Sequence, residues 1–121
     1  MYNPNDTWSF DLSSASTILE HALEIVRLAR PEVEAIARKD RDLAAQVRRA
    51  ISSIALNAAE GRGALAGNSR LRFESALGSL YEAQAGIRLA VAWGYIAQAA
   101  TDELLASMHR LGGRVYGLVR K

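Results

Sequence analysis

Val47-Arg48-Arg49-Ala50-Ile51-Ser52-Ser53-Ile54-Ala55-Leu56-Asn57-Ala58-Ala59-Glu60-Gly61-Arg62-Gly63 is the stretch whose reading decides the fold. At about 100° per residue, Val47, Ile51, Ile54 and Ala58 fall on one side of a helix, which is the apolar stripe a bundle core needs. Arg49, Ser53, Asn57 and Glu60 fall together on another side. A plain solvent face mixes lysine and glutamate. This one carries a hydroxyl, an amide and one carboxylate, each short enough to hold a fixed hydrogen bond, and it stops at a glycine beside an arginine.

Working outward, glycine and proline punctuate four helical stretches. Ser13 or Ser14 can cap a first helix in which Ile18, Ala22, Ile25 and Ala29 recur at the 3–4 spacing. Pro31 predicts a break there, followed by a short turn through Arg38 that places Glu32 and Glu34 at the positive end of a dipole. Asp40 caps the second helix, about residues 41 to 60. Gly61 to Gly67 reads as a glycine-rich loop. Asn68 and Ser69 are caps for a long third helix through Trp93, Gly94 ends it, and Thr101 starts a fourth that runs to the C-terminus. Short connections lay neighbours antiparallel, so the expected fold is all-α, an up-down-up-down four-helix bundle over residues 13–121 behind a loose N-terminal tail over residues 1–12. Trp8 and Phe10 are placed to pin that tail.

Composition narrows the function classes. A chain of 121 residues, half of them apolar, fits one domain with a real core. It has no cysteine, so disulfides and thiolate metal sites are out, and a reducing cytoplasm is the simplest expected location. Met1 to Ser13 lacks the basic and apolar regions of a signal peptide, and no run approaches the length of a membrane span. Charge is uneven: residues 1–60 hold seven Lys/Arg against nine Asp/Glu, whereas residues 61–121 hold eight against four. Thirteen of the fifteen basic residues are arginine, which suits bidentate contacts to carboxylate or phosphate; GC-rich codon usage yields the same bias.

The third helix has more apolar surface than one core requires. Phe73, Leu77, Leu80, Gln84, Ile87 and Val91 form the expected interior face. Ser75, Ser79, Gly86 and Ala90 form a second, small-residue side, with Leu89 and Trp93 near its end. Helix-interior glycine costs about 1 kcal/mol relative to alanine, so Gly78 and Gly86 ask for a packing reason. In the fourth helix Leu104, Met108, Leu111, Val115 and Leu118 face inward, and Leu105, Gly112, Tyr116 and Val119 make another stripe. Two readings stand: a bundle that buries wide faces, or a subunit interface using Ser75, Ser79, Gly86, Trp93, Gly112 and Tyr116.

Catalytic and metal chemistry find little support. A di-iron bundle needs Glu-x-x-His pairs, and His21 and His109 are preceded at that spacing by Ile18 and Ala106. Gly61 to Gly67 follows a helix and lacks the Gly-Lys-Ser/Thr ending of a phosphate loop. No serine is recognisable beside a base. The expectation is therefore no catalytic residue, no metal and no cofactor. Asn57, Glu60, Arg72 and Glu82 read as a structural polar network, with a ligand site as the alternative. The start of the third helix, flanked by Arg62 and Arg70, reads as an anion site, the alternative being that these arginines tie Glu60 and nearby carboxylates together.

The run RRAISSIALNAAEGRG resembles the signature of the 23S rRNA intervening-sequence family of small bacterial four-helix bundle proteins. The resemblance continues through Arg72-Phe73, Ala76 to Glu82, Gly94-Tyr95-Ile96 and Leu111 to Leu118, covering roughly residues 14 to 120. It implies a closed ring, typically a homopentamer. It also relates the chain to the accessory variability determinant proteins of diversity-generating retroelements, whose implied partners are nucleic acid and a reverse transcriptase. Under that implication Arg48, Arg49, Arg62, Arg70, Arg110 and Arg114, multiplied by symmetry, are the candidate nucleic-acid contacts. The competing reading is a structural or protein-interaction module without nucleic-acid binding, since the net charge is only +2 and stacking aromatics are few.

Overall fold

The computed structural model describes residues 14–64 and 66–120. The expected tail over residues 1–12, with Trp8 and Phe10, lies outside the described residues, as does Ser13. Four helices follow: α1 Ser14–Ala37, α2 Arg41–Gly63, α3 Ala66–Ala92 and α4 Gln98–Val119. Each packs on its neighbour in sequence, and α4 packs back on α1. With connections of only two to five residues, successive helices run antiparallel, as an up-and-down bundle requires.

The expected break at Pro31 is absent, and α1 runs through it. Proline inside a helix removes one hydrogen bond and crowds the carbonyl of Arg27, at about 3 kcal/mol. Pro31 sits on the exposed face, where water can reach that carbonyl. On the opposite face Val33 and Ile36 are buried beyond it. Each contributes about 1.5–3 kcal/mol by leaving water, so continuity outweighs the lost bond.

Asp40 caps α2 as its position implies: with extended backbone, its Oδ1 accepts from Leu43 N at 2.9 Å. Its other oxygen accepts from Tyr95 Oη at 3.2 Å, tying the α1–α2 turn to the α3–α4 connection. α2 continues past Glu60 to Gly63, so the glycine-rich segment is mostly helix, and α3 starts at Ala66. Asn68 and Ser69 therefore lie inside its first turn instead of preceding it. At the far end, Gly94 N donates to Val91 O and Tyr95 N to Ala90 O, each at 2.9 Å, closing α3 around Gly94 at φ +81°. That is the Schellman pattern, and the left-handed backbone there explains the glycine. α4 begins three residues before Thr101. Thr101 is buried inside it and its hydroxyl donates back to Gln98 O at 2.7 Å.

The core follows the apolar stripes of α1, α2 and α4, with Ile18, Ile25, Val47, Ile54, Leu104, Met108 and Leu111 all buried. α3 differs from expectation. Its buried residues are Phe73, Ala76, Leu80, Ala83, Ile87 and Ala90, alternating three and four apart. Leu77, Gln84 and Val91 sit at the margins, half-buried. Ala90 belongs to this core and not to the second side. The repeat of 3.5 residues is the bundle seam pattern, and its alanines let the neighbouring helices come close.

Candidate functional site

α2 supplies the outward face with the most unbalanced chemistry. Four surface arginines elsewhere have carboxylate partners: Arg27–Glu24 at 3.1 Å, Arg30–Glu34 and Arg70–Glu74 at 3.6 Å, and Arg72–Glu60 at 3.2 Å. All are exposed, and each contributes less than about 1 kcal/mol. By contrast, Arg38, Lys39, Arg41, Arg48 and Arg49 have no ion pair among the described residues. Arg48 stands where two open grooves meet. One, about 380 Å³, lies between α1 and α2 over an apolar floor of Val26, Ala29, Val33 and Ile51. The other, about 500 Å³, runs between α2 and α3 past Arg49, Ser53, Asn57, Glu60 and Arg72.

The expected polar network divides into three parts. Asn57 Nδ2 donates to Ser53 O at 2.9 Å and to Ser53 Oγ at 3.0 Å, and Ser79 Oγ donates to Ser53 Oγ at 2.8 Å. Arg72 and Glu60 form a separate pair across the α2–α3 seam. Glu82 joins neither, since its contact is Gln46 Nε2 at 3.5 Å. Both glutamates are exposed. Ser53, Ser79 and Gln46 were left out of the expected network; for Ser53, its place four residues before Asn57 in the polar stripe was a usable signal.

Three residues read as interface candidates are engaged inside the chain. A Cβ at Gly86 would stand 2.6 Å from Val47 Cγ2, and one at Gly112 would stand 3.2 Å from Leu80 Cδ2. These glycines admit α2 and the α3 core residue respectively, while Ser79 bonds to Ser53. Ser75, Trp93 and Tyr116 remain exposed. Trp93 stacks on Tyr95 with centroids 6.3 Å apart, and Arg120 lies 6.0 Å above the Tyr116 ring. Gly78 differs from Gly86 in having no atom within 4 Å of an added Cβ.

The remaining candidate arginines do not join the α2 face. Arg70 is held by Glu74, and Arg62 is half-buried in the last turn of α2. Arg110 and Arg114 stand one turn apart on α4, and Arg114 reaches α1. There Arg114 Nη1 lies 2.9 Å from His21 Nδ1, and His21 Nε2 lies 3.0 Å from Ser107 Oγ. A serine does stand beside a base, contrary to the sequence reading; the two residues are 86 positions apart, beyond the reach of local spacing. The polarity is wrong for nucleophilic catalysis. Ser107 is 2% exposed, and the ring's far nitrogen meets a donor where a triad needs a carboxylate. An arginine only donates, so Nδ1 carries the lone pair and His21 is neutral with its proton on Nε2.

Burial, then Arg114 and Arg110, hold His21 below the ordinary histidine value of 6.5. Its contribution to stability is therefore complete above that value and lost as pH falls through the lowered folded value. We expect the melting temperature to fall as pH drops below about 6.5, and to fall less in a His21→Gln chain, as read by circular dichroism.

Among the described residues no group of three metal-ligating side chains comes together, and no helix is long and apolar enough to cross a membrane. The family model described as 23S rRNA-intervening sequence protein matches residues 12–117. A crystal structure of a protein of unknown function from the S23 ribosomal protein family, from Bacteroides thetaiotaomicron, matches with a TM-score of 0.77 at 16% identity. The match covers 86% of this chain and 99% of that one, and at that identity it shows a shared fold. No curated protein matches the chain.

Proposed function

The chain belongs to the 23S rRNA-intervening sequence protein family, and from that premise we propose that it acts without a catalytic centre, as a self-assembling bundle whose α2 face holds nucleic-acid phosphates. The observation that carries this reading is the set of cations that make no ion pair, Arg38, Lys39, Arg41, Arg48 and Arg49, on one helix and the turn before it, with Asp40 and Asp42 among them. Guanidinium groups match phosphate oxygens bidentately, and a row of cations without ion pairs tracks a backbone. Trp93 and Tyr95 stand beside the Lys39–Arg41 end of that row, where Tyr95 is tied to Asp40 and stacked on Trp93; the row itself contacts phosphate, which carries no base sequence. Each exposed contact is weak alone. A pentameric ring, the assembly implied by family resemblance and favoured by the exposed Leu56, Leu71, Leu89 and Trp93, would repeat the row five times.

A salt titration on generic duplex tests this. Binding should weaken linearly in log–log form, by about 0.9 per neutralised phosphate, and an Arg48→Glu/Arg49→Glu chain should lower that slope by about 2. The second reading is a protein-interaction module, favoured by Trp93 at 66% exposed. Absence of duplex binding at low salt, with the oligomer intact by native mass spectrometry, would decide for it.

A further inference from the structure

The α1–α4 seam carries a charged cluster that the α2 reading leaves unused. Ser107 Oγ takes the His21 Nε2 proton at 3.0 Å whether the ring is neutral or charged, so the imidazole keeps its orientation with Nδ1 toward Arg114. Arg110, one turn earlier on α4, also acts on the ring. From its own helix the ring feels Glu24, and α2, the other helix packed on α1, supplies no charged group that acts on it. Glu24 is already engaged, with Oε1 3.1 Å from Arg27 Nε. The cluster thus holds two permanent cations and a third that forms on protonation, and the one carboxylate acting on it, Glu24, is shared with Arg27.

We propose that His21, Arg110 and Arg114 form a proton-gated site for a tetrahedral oxyanion of phosphate or sulfate chemistry. With no anion present, the Nδ1 lone pair takes a hydrogen from Arg114. A proton on Nδ1 turns that contact into two donors facing each other. An oxyanion between them accepts from both, and the charge of Arg110, one turn away on α4, adds to the attraction. Proton and anion therefore bind cooperatively, each raising the other's affinity by the same factor. The site uses α1 and α4 only, so it stands or falls separately from the α2 face.

The test follows the two histidine rings by NMR through a pH titration of the full chain, in chloride and in sulfate at matched ionic strength. His109 is exposed and serves as the internal reference. Sulfate should raise the pH at which His21 is half-protonated by about 0.5, an effect of about threefold on anion affinity, and leave His109 in place. In an Arg110→Gln/Arg114→Gln chain, where both changes are at exposed positions, the sulfate dependence should vanish. A His21 midpoint that ignores sulfate overturns the proposal, and so does an equal movement of both histidines. A thymidine oligonucleotide distinguishes the source. Movement of His21 at lower phosphate concentration than sulfate needs supports a nucleic-acid phosphate; movement with sulfate alone supports a free oxyanion.

Discussion

A Gly86→Leu chain is expected to lose about 3 kcal/mol of folding stability, seen as a lower denaturant midpoint before any question of assembly arises. The first added atom already stands 2.6 Å from Val47 Cγ2. Valine is stiff about χ1, and this one is 1% exposed, so its methyl has nowhere to turn. Relief requires α2 and α3 to separate along the seam that also holds Ser53 and Ser79 together. The sequence leaves Gly86 open to a wide internal face or a subunit interface; the first obstruction a side chain meets is inside the chain. A Val47→Ala change in the same chain should restore part of the loss, which marks the cause as this one contact. Gly78→Leu is the control. Its side chain would enter open space within the protomer, so any assembly defect it produced would report on a partner.

Phe73→Ala should cost about 3–5 kcal/mol, measured by denaturant unfolding. Phe73 is the aromatic residue of the described core, 5% exposed, near the start of α3. Its ring lies so close over Gly61 that a Cβ there would stand 2.9 Å from Cζ. The glycine near the end of α2 and the phenylalanine of α3 are one fitted pair. Truncating the ring leaves a cavity that the rigid α2 backbone cannot fill. Gly61→Ala overpacks the same spot in the native chain and should be tolerated better in a Phe73→Leu background, where the flat ring face is gone.

These two pairs also show where the sequence is legible and where it stops. The stripes of Ile18, Ile25, Val47, Ile54, Leu104 and Met108 report burial directly, because a helix repeats its faces with fixed geometry. Asp40 and Gly94 are legible for the same reason, since capping is local chemistry. Pro31 misleads: the local rule is right about the lost hydrogen bond, but the deciding term is the burial of Val33 and Ile36 further along. The glycines of α3 and α4 are ambiguous in the sequence. Gly86 and Gly112 face residues 39 and 32 positions away, and spacing within one helix does not say whether the neighbour that needs the room is internal or external. The candidate site divides similarly. The pairing of Arg72 with Glu60 follows from two helix ends meeting at a short turn. The contacts of His21 need the full circuit of the bundle.

That circuit has a kinetic consequence. The α1–α4 seam joins residues as far apart as His21 and Arg114, 93 positions, yet the chain never has to close a free loop of that length. Once α1–α2, α2–α3 and α3–α4 have docked as neighbours, α1 and α4 already lie side by side, and the entropy of ring closure is set by a few hinge angles. A bundle assembled in this order has low contact order and belongs among chains that fold in microseconds to milliseconds. In that order the last step is the docking of the α1–α4 seam, where the His21 imidazole meets Ser107 and Arg114.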